Sequence, residues 1–400
     1  MRQSSSFDIT LFITIVLLVA LGWIFIYSAS YPRAMASSDS NFNSFYYAFR
    51  QIIFTLAGVA AMCFCWFTPL HFFRRWSLWI MAGGILLLLI VLIFAPERHG
   101  NRASIDIGPV QLQASEFAKI AIVLTLSAFL ARRPWMVKSW QGLVRGPLWF
   151  VLVPLVLIGA EKDMGMTFAI TLSTTIILLI AGMKFRYVGV PLLLLGTLVA
   201  VVAGGVKIVN NATHGALMQK IMETGGQRFE RILAWHDPMD DSLAASFHPR
   251  NSLIAIGSGG LFGRGLTQGR QKWFYLPAPH NDYIVAVIAE EIGFIGILGA
   301  VLLLYGLLVF RGFSIAHRAP DEYGALVAAG CTVMIAVTAL VNICVVTNML
   351  PSIGLNLPFV SYGGSSLIAS MMMAGLLLNV AGQQPVRERH RAEAAGQPAT

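Results

Sequence analysis

The sequence predicts an all-α, polytopic integral membrane protein with ten transmembrane helices and a long extracytoplasmic loop between the seventh and eighth. Three observations predict it. Hydrophobic residues make up 56% of the 400-residue chain and charged residues 12%, a balance that excludes a soluble globular domain. Apolar runs recur at or near the ~20 residues that a helix needs to cross ~30 Å of hydrocarbon. The short loops between these runs divide their basic residues unequally, and that asymmetry sets an orientation.

In order, the apolar runs lie at about 9–29, 50–69, 77–96, 115–131, 147–160, 166–183, 188–206, 283–310, 323–346 and 361–381. The first follows a short polar tail without a small-residue cleavage site, so it reads as a retained span rather than a removed signal peptide. The fifth is short, and Glu161-Lys162-Asp163 turns it straight into the sixth. After the seventh comes the long loop, about 207–280. Its Ile254–Leu266 portion is too short and too glycine-rich to span. Non-helical backbone at membrane depth must be satisfied by protein or a watery cavity. We therefore read this portion as a re-entrant or surface-lying piece that lines an outward-facing pocket. The runs form one membrane domain, 1–382, followed by a polar tail, 383–400, with too little apolar surface to fold.

With the N-terminus inside, fourteen basic residues fall on the inner side and six on short outer segments: Arg33, Arg50, Arg98, Arg102, Lys119 and Lys162. Both termini are thereby predicted to be cytoplasmic. The formal charge of +9 follows this orientation, and its dispersal among loops argues against a nucleic-acid partner. Cys63, Cys65, Cys331 and Cys344 all fall in predicted spans and read as apolar packing. No histidines show ligand spacing, so no metal site is indicated.

The segment Leu276 to Gly296 drives three carboxylates, Asp282, Glu290 and Glu291, toward or into a span. A charged residue at a span's centre costs ~2.5–3.5 kcal/mol on insertion scales. Such groups are either neutralised by neighbouring helices or kept for function. Glu290 lies too deep for chemistry at Asp282 and reads as fixing helix packing or a nearby cation. Glu116 and Lys119 share a helix face, as a plain ion pair or as part of a site. Asp163 emerges on the same outer side. Gly257 to Gly265 (GSGGLFGRG) is either a flexible turn or a backbone anion cradle, with Arg264, Arg270 and Lys272 supplying positive charge. Gly363, Gly364, Ser365 and Ser366 open the last span and permit close helix contacts.

Five motifs then coincide in order: IYSAS (26–30), QLQASEFAK (111–119), NSLIAIGSGGLFGRGL (251–266), LPAPHNDYIVAVIAEEIGFIG (276–296) and LNLPFVSYGGSS (355–366). Together they resemble the SEDS family, the bacterial shape, elongation, division and sporulation polymerases that include FtsW, RodA and SpoVE. The YSAS and the run into SYGGSS are most similar to the FtsW and SpoVE branches. The resemblance implies ten helices and a peptidoglycan glycosyltransferase that polymerises lipid II at the outer face of the bacterial cytoplasmic (inner) membrane. It also implies a class B penicillin-binding protein as transpeptidase partner, alongside other divisome or elongasome membrane proteins.

The same resemblance makes Asp282, in His280-Asn281-Asp282-Tyr283, the candidate catalytic residue. It places Lys119, Glu116, Arg102, Asp163, Arg264, Arg270, Lys272, His280, Ser258, Ser361 and Ser365 in the candidate substrate-binding set. The chain departs from the family at Arg102-Ala103-Ser104-Ile105, where one arginine and a tryptophan of the usual pattern are missing. It departs again at Asp163-Met164-Gly165-Met166, which keeps the acid and loses a hydroxyl, and at Ser246 to Arg250.

A sugar hydroxyl is a poor nucleophile, so a carboxylate general base would speed its attack by ~10²–10⁴-fold. A departing diphosphate gathers negative charge that cations or backbone donors would stabilise. A divalent cation would serve the same end, and carboxylates this scattered do not establish one. Two other classes fit the spans: a carrier, such as a flippase for the same lipid, and a non-catalytic scaffold that activates its transpeptidase. A carrier would favour paired broken helices and a midplane site, and neither the GSGG nor the HND segment has a second copy.

Overall fold

Long apolar stretches with few helix breakers satisfy their own backbone in lipid only as helices, and the structure follows that rule. This computed structural model describes residues 8–36, 42–96, 103–107, 110–189, 231, 234–239, 246–276 and 279–383. Chain order runs α1 (Ile9–Ala36), α2 (Tyr46–Phe67), α3 (Leu70–Phe94), α4 (Ala114–Arg132), α5 (Trp140–Arg145), α6 (Pro147–Ala160) and α7 (Met164–Ile180). It continues with α8 (Phe247–Gly259), α9 (Ile284–Ile297), α10 (Leu303–Arg318), α11 (Glu322–Val346) and α12 (Gly364–Gly382). One π-helical turn, Leu298–Leu302, joins α9 to α10.

Among the described residues, seven helices are long and apolar enough to cross a membrane, counting 284–318 as one. The shorter apolar helices α6 and α7 occupy the fifth and sixth predicted positions. The seventh predicted run, 188–206, lies almost wholly outside the described residues, as do 207–230 of the long loop and 384–400 of the tail. One short hairpin accompanies the helices of this all-α membrane fold. Ser104–Ile107 (β1) and Val110–Gln113 (β2) pair antiparallel before α4, with Ser104 opposite Gln113. Alternating Ile105, Ile107, Val110 and Leu112 suit a short hairpin better than a loop.

The centre is built from α4, α11 and α12, whose spans are 83%, 78% and 89% buried, while α3 is 22% buried and turns most of its surface outward. Small residues set the central spacing. A Cβ on Gly375 would lie 2.3 Å from the Met62 carbonyl oxygen, and one on Gly58 would lie 3.0 Å from Met371 Cγ. Close approach of α12 to α2 follows, which is how helices associate where lipid removes the hydrophobic drive. Asn379 locks the inner end of this contact by donating to the carbonyls of Cys65 and Thr68.

Helix α9 is broken at Gly293, whose φ of 71° and ψ of −174° lie outside helical space. The chain after α8 fills the break. Phe294 and Ile295 donate their N–H groups to the carbonyls of Gly260 and Leu261, while Arg264 and Gly265 donate to those of Glu290 and Glu291. These four bonds satisfy backbone that the break would orphan in hydrocarbon. Contact is backbone to backbone, so Gly259 and Gly263 of GSGGLFGRG serve close approach, whereas a Cβ on Gly257 or Gly260 would meet nothing within 4 Å. A Cβ on Gly263 would sit 2.2 Å from the Glu291 carbonyl oxygen, and one on Gly293 would sit 2.3 Å from the Gly263 nitrogen. Gly293→Ala is therefore expected to cost more than about 1 kcal/mol. Gly306→Ala, where nothing lies within 4 Å, should stay within about 0.5 kcal/mol. Thermal unfolding of both variants in detergent checks the contrast.

Candidate functional site

Asp282 sits in the turn that feeds α9, and main-chain bonds hold that turn. Asn342, a lone amide in the apolar α11, donates to the Asp282 carbonyl at 2.9 Å and to the Leu355 carbonyl at 2.5 Å. Ser361 donates to the Asn281 carbonyl at 2.7 Å and accepts the Leu357 N–H at 2.9 Å. The Tyr362 N–H donates to the His280 carbonyl. His280 is buried between Tyr47 and Tyr362, with ring centroids 4.7 and 5.4 Å away. The Asp282 backbone is thus fixed from three sides while its half-buried carboxylate accepts no hydrogen bond from the described residues.

A second acid stands close by. The Asp163 carboxylate caps α7 by accepting the Met166 N–H at 3.1 Å, and its other oxygen accepts from Gln113 Nε2 at 2.9 Å. Gln113 ends β2, whose backbone is pinned to the start of α12. The Gln113 N–H donates to Ser365 Oγ, and Ser365 donates to the Gln111 carbonyl. At Gly165, a Cβ would lie 2.4 Å from the Ile353 carbonyl oxygen. At the next loop residue, left-handed Gly354, a Cβ would lie 3.3 Å from Asp282 Oδ2. One loop therefore separates the two acids. One turn into α4, buried Lys119 and Glu116 pair at 2.5 Å.

These placements shift the acids. Burial pushes the Asp282 carboxyl up to about 6, opposed by the positive charge of Arg231. Burial also raises Asp163 to about 6; the Met166 and Gln113 donors oppose that, and the charges of Glu116 and Asp282 add to it. Asp282, Asp163 and Glu116, from three distant parts of the sequence, thus share one electrostatic neighbourhood. His280 is driven down to about 3 by burial and by Arg33, so it is a neutral imidazole.

Not every residue singled out from sequence joins them. Ser361 and Ser365 lie at the site, but their hydroxyls bond main chain, which assigns them to holding the loops. Arg264, Lys272 and Ser258 gather instead around Glu290 and Glu291, joined by the main chain of Arg270, whose side chain is exposed. Glu290 accepts the N–H groups of Arg270 and Gln271, and Ser258 Oγ and Arg264 lie 3.4 and 3.8 Å from its Oε1. Lys272 Nζ pairs with Glu291 at 2.7 Å and donates to Ser28, which itself donates to Glu291. The Thr267 N–H completes the shell. Two carboxylates buried inside a span must be compensated, and this demand, rather than a substrate, takes up Lys272. Arg102 lies outside the described residues. Among the described residues, no group of three or more His, Cys, Asp or Glu side chains is placed to hold a metal ion.

Four contributors escaped sequence reasoning: Gln113, Asn342, Gly354 and Arg231. Asn342 carried a usable signal, as the one amide in its apolar run. The others become meaningful only through contacts across the fold.

Comparison with known proteins gives the site a context. A family model for FtsW, RodA and SpoVE, described as cell cycle proteins, matches residues 8–385. Stage V sporulation protein E of Bacillus subtilis (strain 168) is 38% identical over 382 residues, covering 94% of this chain and 98% of that protein. A protein of Geobacter sp. (strain M18), named probable peptidoglycan glycosyltransferase FtsW, is 32% identical, covering 95% and 98%. In three dimensions, a chain from a peptidoglycan synthase complex that coordinates polymerization and crosslinking superposes with a TM-score of 0.71. It is 26% identical, and the match covers 94% of this chain and 98% of that one. The Thermus thermophilus rod shape determining protein RodA gives 0.67 at 24% identity, covering 96% and 99%, a likeness of fold.

The buried Lys272–Glu291 pair supplies a direct test of its structural assignment. Lys272→Met leaves Glu291 unpaired and is expected to destabilise the protein by about 3–5 kcal/mol. The double change Lys272→Met/Glu291→Leu should recover most of the loss. Thermal unfolding of the three proteins measures both effects.

Proposed function

The chain belongs to the FtsW/RodA/SpoVE family of cell cycle proteins, and on that premise we propose that it is a peptidoglycan glycosyltransferase. It polymerises lipid II into glycan strands at the outer face of the bacterial cytoplasmic membrane, for division or cell shape. The observation that carries this reading is the Asp282 carboxylate. It is half-buried at the end of a membrane helix, on backbone held by hydrogen bonds, accepts no hydrogen bond among the described residues and is raised to about 6. A general base is most effective when its pKa lies near the working pH.

In this reading Asp282 takes the proton of the acceptor sugar's 4-hydroxyl as its oxygen attacks the anomeric carbon of the lipid-linked donor. The new glycosidic bond forms as the bond to the lipid diphosphate breaks, and the diphosphate leaves with the electron pair. Asp163 and the buried Glu116–Lys119 pair share the electrostatic neighbourhood of Asp282. Gln113, Asn342, Ser361 and Ser365 hold the loops so that Asp282 keeps its position, and preorganisation of this kind is where much catalytic power resides. The likeness to a peptidoglycan synthase complex supports a class B penicillin-binding protein as partner. Other division or elongation proteins of the membrane would assemble around that pair. The excess of basic residues on one side supports cytoplasmic termini.

Two outcomes test the reading. Asp282→Asn should abolish glycan-chain formation from purified lipid II, a loss of at least about 10²-fold, while leaving thermal unfolding unchanged. Full activity in that variant would remove the proposed base. The pH dependence follows from the raised acid. Asp282 is the competent base when ionised, so the rate should fall as pH drops through about 6. Asp163 titrates in the same range, so its ionisation falls within the same pH window.

A further inference from the structure

Helices α4 and α7 start at the site, with Glu116 and Lys119 in the first and Asp163 capping the second. The 19 residues of α4 then carry the chain about 28 Å away. Arg132, its last residue, therefore stands at the opposite face of the membrane domain. The 17 residues of α7 reach nearly as far. Beyond these two helices the chain meets itself: the rings of Trp140 in α5 and Tyr187 in the turn after α7 lie 6.3 Å apart.

The connection between α4 and α6 is two-faced. It runs through a 3₁₀ turn, Pro134–Lys138, into α5. Ser139 Oγ accepts the Gly142 N–H at 3.1 Å, and a Cβ on Gly142 would lie 2.3 Å from the Met136 carbonyl oxygen, so the two pieces fold tightly together. Val137 and Leu143 are buried beneath, while Trp135, Lys138, Trp140 and Arg145 are exposed. Exposed Trp149 follows in the first turn of α6, and exposed Phe185 and Arg186 stand in the adjoining turn. Tyr187 presents Arg186, accepting its Nη2 at 2.8 Å and lying under its guanidinium.

Six basic residues reach this rim, Arg132, Arg133, Lys138, Arg145, Lys184 and Arg186, and all are exposed. None belongs to an ion pair among the described residues. Neither 130–149 nor 181–189 contains an acid. Asp321, on the turn between α10 and α11, is taken by Arg74 at 3.9 Å and by the Gly324 N–H. Like charges gathered without acids repel one another, and an external anion relieves that repulsion. Exposed tryptophans beside them suit the boundary between hydrocarbon and headgroups. An acidic peptide would use the charges and leave the indoles unexplained, whereas an anionic membrane surface uses both.

We propose that this rim binds the anionic phospholipid headgroups of the leaflet away from Asp282. The phosphates meet the guanidinium and ammonium groups, and Trp135, Trp140, Trp149 and Phe185 enter the hydrocarbon boundary beside them. Arginine suits the task because its planar donors can take two phosphate oxygens at once. Bound lipid ties together the ends of α4, α6 and α7 and braces the helices whose other ends hold Glu116, Lys119 and Asp163. The inference rests on the membrane fold and is independent of the glycosyltransferase reading.

The test uses the full chain in detergent, titrated with phosphatidylglycerol or with zwitterionic phosphatidylcholine. Thermal unfolding is followed, and the lipid retained is counted by native mass spectrometry. Phosphatidylglycerol should raise the unfolding temperature and stay bound, and phosphatidylcholine at the same concentration should do neither. The triple variant Lys138→Gln/Arg145→Gln/Arg186→Gln should need at least about tenfold more phosphatidylglycerol for the same shift. The charge-keeping variant Lys138→Arg/Arg145→Lys/Arg186→Lys should respond as the wild type does. Raising the salt from about 0.05 to about 0.5 M should weaken the wild-type response. Equal responses to the two lipids would overturn the proposal and leave the rim to an acidic protein segment. A triple variant that responds like the wild type would overturn it as well. If that variant fails to fold, the wild-type contrast between the two lipids and its salt dependence decide.

Discussion

Charge inside a membrane helix has to be answered by charge and by donors, and Glu290 and Glu291 impose that requirement at the break in α9. The chain from 258 to 272 is arranged to meet it. Main-chain N–H groups of Thr267, Arg270 and Gln271 converge on the two carboxylates, Lys272 supplies the balancing charge, and Ser28 brings α1 into the same shell. The backbone ladder between 260–265 and 290–295 then seals the gap that Gly293 opens. Removing a single partner would strand a buried ion, so the assembly holds together as a unit.

That unit sets the starting point for the acid above it. Asp282 follows directly from the segment clamped by Glu290 and Glu291, and it receives a second set of restraints from α11 and from the loop before α12. Those restraints act on carbonyls and not on the carboxylate. The side chain is left to titrate, and a frame of backbone bonds limits where it does so. The Asp163 branch repeats the logic with a different solution. Its carboxylate is tied by Met166 and Gln113, so it lends charge and shape to the pocket more readily than it lends a base.

Much of this was legible beforehand, for physical reasons that can be named. Helix positions followed from run length, because lipid leaves a spanning backbone few options. The pairing of Glu116 with Lys119 followed from a three-residue spacing, and Asp282 stood out because a carboxylate at a membrane edge is costly. The β1–β2 hairpin escaped notice because four-residue strands leave little periodicity to read. Arg264 and Lys272 were placed with the substrate because a linear sequence shows charges and conceals which buried acid each will meet. Asn342, Gln113 and Arg231 depend on tertiary neighbours from 13 to more than 50 residues distant, and no local pattern encodes such meetings.

The interruption at Gly293 has one further bearing. The half of the helix before the break is welded to the 260–272 segment, whereas the stretch beyond it leans on the start of α1 through Arg311 and Asp8. Gly299 and Gly306, along that second stretch, have open space around them. Small changes of side chain can therefore be absorbed beyond the break, leaving the geometry around Asp282 undisturbed.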